Sequence, residues 1–268
     1  MPIDPQFIDH DLTPPEGMAT GLIEQDAESF AAGVLCQDIE ATGDLIPRSQ
    51  WDDWAGRREP VLRASVRTIL NQGREGSCVG NACVGAAMVC GALQYGSEWR
   101  ELSAMSVYER IGRSAQSGAY IPDGISELTD RGALPLDTAD NKAEFDMVYP
   151  ATGFNPRRLR KLDWEPTAKL FRATSVLRVN TVEGWFTALV KGWPTVYGRQ
   201  GHCIYSVLPT KSRGKWYFGY ANSWGSQWGD ELNDTVGKGL GWDSERTISN
   251  RVGYAVRDVT RRPRIEMG

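Results

Sequence analysis

Asn71-Gln72-Gly73-Arg74-Glu75-Gly76-Ser77-Cys78 places a glutamine six residues ahead of a cysteine, with Gly-Ser directly before the thiol. Sixteen residues rich in Ala, Val, Gly, Cys and Met follow from Cys78 to Leu93, almost without charge. That composition fits a helix apolar on every side, hence buried, about 24 Å long. Cys78 then stands where the Gly-Ser turn enters the helix. Backbone N–H donors and the positive end of the helix dipole favour a thiolate there. By itself, a cysteine at a helix start reads as a structural residue, and the chemistry depends on what accompanies it.

Its companions lie far downstream, at Gly201-His202 and at Asn222-Ser223-Trp224-Gly225-Ser226-Gln227-Trp228-Gly229. The chain has two histidines, and His10 lies in an acidic N-terminal arm, so His202 is the only one in the body. A lone histidine is more often structural, yet Cys–His chemistry here would require His202. Asn222 can hold the far imidazole nitrogen and so set the ring's tautomer, while nearby tryptophans keep water off that bond. The plainer readings are a turn residue for Asn222 and core packing for Trp224 and Trp228. Gln72 can point its amide N–H, together with the Cys78 backbone N–H, at a developing oxyanion; its plainer reading is a solvated loop residue. Cys, His and Asn in that order, with a Gln upstream, form a set for acyl transfer through a thioester.

The 268 residues allow one large domain or two lobes. A net charge of −4 offers no bulk attraction to nucleic acid or acidic membranes. No apolar run reaches the ~20 residues of a membrane span, and Met-Pro-Ile-Asp-Pro-Gln-Phe lacks the features of a secretory signal. The expected location is cytoplasmic, or virion-associated if the source is viral. Five cysteines (Cys36, Cys78, Cys83, Cys90 and Cys203) include no Cys-x-x-Cys pair, so no metal or other cofactor is expected.

Residues 1–44 contain ten Asp or Glu and no Lys or Arg. They read as a solvated acidic arm, or as one that covers a cleft or docks on a protein partner or assembly, with a helix near Glu24–Leu35. Helical patterns recur at Ser103–Gly112, Ile125–Arg131 and Thr181–Lys191. Strand patterns occupy Ala173–Val179, Pro194–Tyr197, Cys203–Leu208, Lys215–Ala221 and Val252–Val259. Helices followed by strands make an α+β chain.

At these residues the sequence resembles the papain-like cysteine peptidases, in a divergent bacterial or viral form, over roughly Leu45 to Val259. Gln72, Gly76-Ser77-Cys78, His202 and Asn222-Ser223-Trp224-Gly225 are the matching motifs, and Ile46-Pro47 before Trp51 looks like the start of the mature domain. The resemblance implies a two-lobe α+β fold with the active-site cleft between a helical lobe (about 64–165) and an antiparallel β lobe (about 166–260 plus 45–63). It implies Cys78 as nucleophile, His202 as general base and acid, Asn222 orienting it and Gln72 in the oxyanion hole. Substrate contacts are implied at Gly118, Trp224, Trp228 and Cys203, with Gly118 at an edge that pairs with the polypeptide substrate. Several features depart from the family. Glu75 stands where secreted members have a cysteine, and Val79 replaces a common aromatic. The segment between Pro194 and His202 is short, and a loop is inserted at Leu232–Leu240. Two other readings follow from the same residues: a structural or interaction protein on this scaffold, as in a virion or other large assembly, and transglutaminase-like acyl transfer, against which Asn222 speaks.

Overall fold

The computed structural model describes residues 3–24, 36–96, 100–136, 154–155 and 164–260. The helix expected near Glu24–Leu35 falls almost wholly on 25–35, outside the described residues. Seven helices are labelled here in chain order: α1 (Trp51–Ser65), α2 (Cys78–Tyr95), α3 (Ala104–Ile111), α4 (Ile121–Asp130), α5 (Glu165–Ala168), α6 (Val182–Lys191) and α7 (Glu245–Ile248). The strands are β1 (Gln37–Asp38), β2 (Ala173–Val179), β3 (Thr195–Arg199), β4 (His202–Ser212), β5 (Lys215–Ala221), β6 (Asp230–Asn233), β7 (Gly237–Ser244) and β8 (Gly253–Val259). They form one sheet in the order β1-β2-β8-β3-β4-β5-β7-β6. Every pairing is antiparallel except β1 with β2. This is an α+β architecture, with the helices of the first half packed on a sheet from the second.

Helix α2 is the centre of the first core. All of it is buried up to Cys90, and only Gly91, Leu93, Gln94 and Tyr95 fall outside the buried set. By length and composition it could cross a membrane. A run of spanning length therefore does exist, contrary to expectation, and this fold uses it as a core element between the other helices and the sheet. Small residues permit the close approach: a Cβ added at Gly85 would lie 2.4 Å from the Tyr205 ring on β4.

The sheet separates two cores because strand side chains alternate. Val196, Cys203, Tyr205 and Val207 face α2 and its neighbours. Tyr197, Ile204, Phe218 and Tyr220 face the second core with Trp51, Trp185 and Phe186. Trp51 stacks on Phe186 at 4.1 Å and 3°, and its Nε1 donates to the Ile46 carbonyl at 3.0 Å. The 45–63 segment thus reaches the β side of the molecule largely as helix α1.

Two details of the β region position the site. The short segment before His202 is a two-residue hairpin turn: Arg199 and His202 are directly paired, while Gln200 (φ 52) and Gly201 (φ 70) are both left-handed. Beneath it, buried Arg199 pairs with buried Asp243, whose Oδ2 also accepts the Tyr197 hydroxyl at 2.7 Å. Burial pushes the Asp243 carboxyl up to about 6 against the pull of Arg199. The insertion expected as a loop at Leu232–Leu240 is instead the β6–β7 hairpin. Its turn is tied by Asn233 Oδ1, which accepts the Thr235 and Val236 N–H groups at 3.0 Å, and it delivers Trp242 into the first core.

Candidate active site

Cys78 opens α2, and Asn81 locks the preceding turn by donating to the Ser77 carbonyl and hydroxyl at 2.9 and 3.1 Å. Across from it the hairpin turn presents His202 at the start of β4, and the Cys203 backbone N–H faces the Cys78 sulfur. His202 Nε2 lies 2.7 Å from Asn222 Oδ1, at the end of β5. That same oxygen accepts the Ser223 N–H at 2.7 Å, which identifies it as the carbonyl end of the amide. A neutral His202 therefore donates through Nε2, and its lone pair sits on Nδ1, which has no hydrogen-bond partner among the described residues. Trp224 stacks on the imidazole at 4.7 Å and 18°, and Trp228 meets Trp224 edge-on at 5.4 Å. The ring is thus held by one hydrogen bond and one aromatic face, with its basic nitrogen uncommitted.

Gln72 is anchored at both ends of its amide. Its Oε1 accepts the Ser223 hydroxyl, and its backbone N–H donates to the Ser223 carbonyl at 2.9 Å. One Nε2 hydrogen goes to the Glu75 carbonyl at 2.8 Å; the other goes to a peptide carbonyl in the cleft, that of Ala19, at 3.0 Å.

Ala19 belongs to the N-terminal arm, and the arm crosses the cleft. The Ala19 carbonyl also accepts Trp224 Nε1 at 3.1 Å. Gly21 lies over Cys78 with its N–H facing the sulfur. A Cβ on Gly21 would meet the Gly76 carbonyl oxygen at 2.0 Å, so only glycine fits. Leu22 N–H donates to the Gly201 carbonyl at 3.0 Å, and Gly21 and Ile23 exchange hydrogen bonds with Ala119 at 2.8 and 3.0 Å in a parallel bridge. The Leu22 side chain lies where a Cβ on Gly198 would be, 2.4 Å from it. Gly118 adopts φ 70 directly beneath the Gly21 carbonyl, but the residue that pairs with the strand is its neighbour Ala119. The side chain of Cys203 points into the first core, and only its backbone faces the site. Sequence reasoning missed Ala119 and Gly21, and it quoted Ser223 only as part of the motif around Asn222, with no role of its own.

The covered site is electrostatically quiet. Burial pushes the Cys78 thiol up to about 12, partly offset by the N–H groups of Cys203, Gly21 and Val79 and its own. Burial likewise pushes His202 down to about 4, partly offset by Asn222. A closed state that holds His202 near 4 keeps its full advantage above the ordinary value of 6.5. It loses that advantage as the pH falls from 6.5 towards 4, because an uncovered imidazole then takes up a proton that the covered one does not. The exposure of Cys78 to an acid-tolerant disulfide probe, relative to the unfolded chain, should therefore rise from pH 6.5 to 4.5. A flat ratio would show that the arm does not control the protonation of His202.

No protein-family model and no curated protein matches this chain. Solved structures do. Xylellain, a cysteine protease from Xylella fastidiosa, is 19% identical with a TM-score of 0.56, covering 93% of this chain and 99% of its own. Digestive procathepsin L2 from the Tenebrio molitor larval midgut is 16% identical with a TM-score of 0.59, covering 91% and 81%. The bromelain protease from Ananas comosus, in complex with the E64 inhibitor, is 17% identical with a TM-score of 0.52, covering 78% and 97%. The chain has the papain-like fold.

Proposed function

We propose that this chain is a papain-like cysteine endopeptidase whose N-terminal arm, within residues 1–44, keeps it latent, with residues 45–268 as the peptidase body. Once the arm lifts, Cys78 loses its proton to His202 Nδ1 and the thiolate attacks a substrate carbonyl carbon. The oxyanion is met by Gln72 Nε2 and the Cys78 N–H. His202 passes its proton to the leaving amine, and a thioester remains on Cys78. Water, deprotonated by His202, then releases the acid and regenerates the thiol.

The observation that carries the reading is the arm itself: a peptide strand already lies across Cys78 with a carbonyl on the Gln72 amide, beside the oriented His202–Asn222 pair. The strand also explains latency. What it offers the sulfur is the Gly21 N–H, a hydrogen-bond donor. The test is intact mass of a chain lacking residues 1–24 after treatment with a peptidyl vinyl sulfone. One adduct per chain, lost in Cys78→Ser, supports the reading; an exposed thiol that forms none overturns it.

The thiol and imidazole, both neutral and covered, motivate a second reading: a binding protein on a papain-like scaffold. It requires Cys78, once uncovered, to alkylate no faster than an ordinary surface thiol and the chain to hydrolyse no peptide.

A further inference from the structure

The turn that carries His202 is held from beneath by a buried charge. Residues directly opposite in an antiparallel ladder project from the same face, and so do residues two apart on one strand. Arg199, opposite His202, and Tyr197 therefore share the face that carries the imidazole. Both reach Asp243 on β7. Arg199 Nη1 donates to Oδ1, and the Tyr197 hydroxyl donates to Oδ2 at 2.7 Å. The bridge passes the Tyr220 ring, whose centre lies 5.8 Å from the Arg199 guanidinium carbon. Glycine makes room for that ring on β7: a Cβ on Gly241 would lie 2.3 Å from the Tyr220 hydroxyl. From Tyr220 a run of aromatic contacts leads back to the imidazole, through Trp228 at 6.3 Å, Trp224 at 5.4 Å and His202 at 4.7 Å.

Stability does not account for this pair. Both side chains are buried, Arg199 at 3% exposure and Asp243 at 0%. Desolvation offsets the attraction of such a pair, and apolar residues of similar volume would fill the space as well. What charge adds is direction, because a planar guanidinium and a doubly bonded carboxylate accept few arrangements. The turn has a use for it. Gln200 sits at φ 52, a conformation disfavoured for a residue with a Cβ. The imidazole makes one hydrogen bond, to Asn222, so a shift of its backbone is not corrected by a second. A displacement of about 1 Å suffices to slow a reaction by about 100-fold. Arg199 is the one cation of this group. The other charged neighbour of Asp243 is Asp9, on the outer edge of β7 where Ile8 bridges Trp242. Asp9 Oδ1 is taken by the Ser244 N–H at 2.9 Å and the Thr247 hydroxyl at 2.6 Å.

We propose that Asp243 is a positioning residue for His202: by holding Arg199 and Tyr197 on β3, it fixes the two-residue turn that presents the imidazole to Cys78 and Asn222. What that placement serves rests on the peptidase reading; the placement itself is judged without any reaction.

The test measures hydrogen exchange at His202 Nε2 by NMR in the full chain near pH 7, where the covered imidazole is neutral. The signal is assigned by its loss in His202→Gln. The reference is the Trp51 Nε1 proton, bonded to the Ile46 carbonyl in the same core. Asp243→Asn keeps the side-chain shape and removes the charge. It should raise the ratio of His202 to Trp51 exchange by about tenfold or more, since the turn then opens locally around an unpaired buried cation. An unchanged ratio overturns the proposal, including the case in which both protons exchange faster together, the mark of a general loss of stability. Should Asp243→Asn fail to fold, Arg199→Met combined with Asp243→Leu serves instead, because it leaves no buried charge unpaired. A raised ratio there supports the positioning role and an unchanged one overturns it. Either failure leaves the peptidase reading standing. An exposed Cys78 that forms no vinyl sulfone adduct removes that reading and leaves the placement of His202 as measured.

Discussion

In a chain freed of residues 1–24, Cys78→Ala should lower peptide hydrolysis by about 10⁴-fold or more, as for other nucleophiles that act as one unit with their base. Gln72→Ala should cost about 100- to 1,000-fold, the usual effect of removing one oxyanion donor. The order of the two losses matters more than their size. Gln72 already donates to a peptide carbonyl, and its carbonyl end is held by the Ser223 hydroxyl, so its amide is pre-aimed and needs no reorganisation during the reaction. The Gln72→Ala loss should therefore fall on kcat more than on KM, since the donor works hardest on the developing oxyanion. The measurement is kcat and KM on a fluorogenic peptide. A Gln72→Ala variant with undiminished kcat would remove the oxyanion role, and an undiminished Cys78→Ala would remove the nucleophile.

The second large effect is that of the arm. Deleting residues 1–24 should raise the alkylation rate of Cys78 near neutral pH by about 100-fold. A thiol held at about 12 that returns to an ordinary value of about 8.5 gains about three powers of ten in thiolate. Roughly half of that gain, in logarithm, is lost because a less basic thiolate is a weaker nucleophile, and freer access to the sulfur adds to what remains. An imidazolium formed at His202 in the open state would raise the rate further. A point substitution should act in the same direction with the chain intact. Gly21→Val sets a branched side chain where a Cβ already lies 2.0 Å from the Gly76 carbonyl, so the strand must leave its seat. If neither change alters the rate, the arm does not limit access to Cys78.

Much of this site was legible because its signals are local. Cys78 stands out by the abrupt change from a Gly-Ser turn to an uncharged helix, and His202 by elimination, as the only histidine outside the arm. Strands β2 and β5 span the segments read as strands from the sequence, Ala173–Val179 and Lys215–Ala221. The other features depend on contacts between distant residues. Ser223 reaches Gln72 from 151 positions away, and nothing near either residue announces the pairing. Ala119, next to the glycine that attracted attention, carries the strand pairing because hydrogen bonds come from its backbone, which any residue would supply. The segment expected as an inserted loop forms the β6–β7 hairpin because Asn233 and glycines at positive φ close its turn, and because Trp242 finds a core to enter.

The sequence by itself determined the reagents: a thiol at a helix start, one imidazole in the body, an asparagine before a tryptophan, an upstream amide, and an arm without positive charge. Residue type and short spacing suffice for these, since helix termini, turns and strand alternation are set by neighbouring residues. Only the tertiary structure decided whether the reagents are exposed. It placed Gly21 over Cys78, turned the Ala19 carbonyl onto Gln72, and filled the edge of β7 with the N-terminus. Those outcomes rest on backbone hydrogen bonds and burial between segments far apart in sequence, whose partners no local pattern specifies.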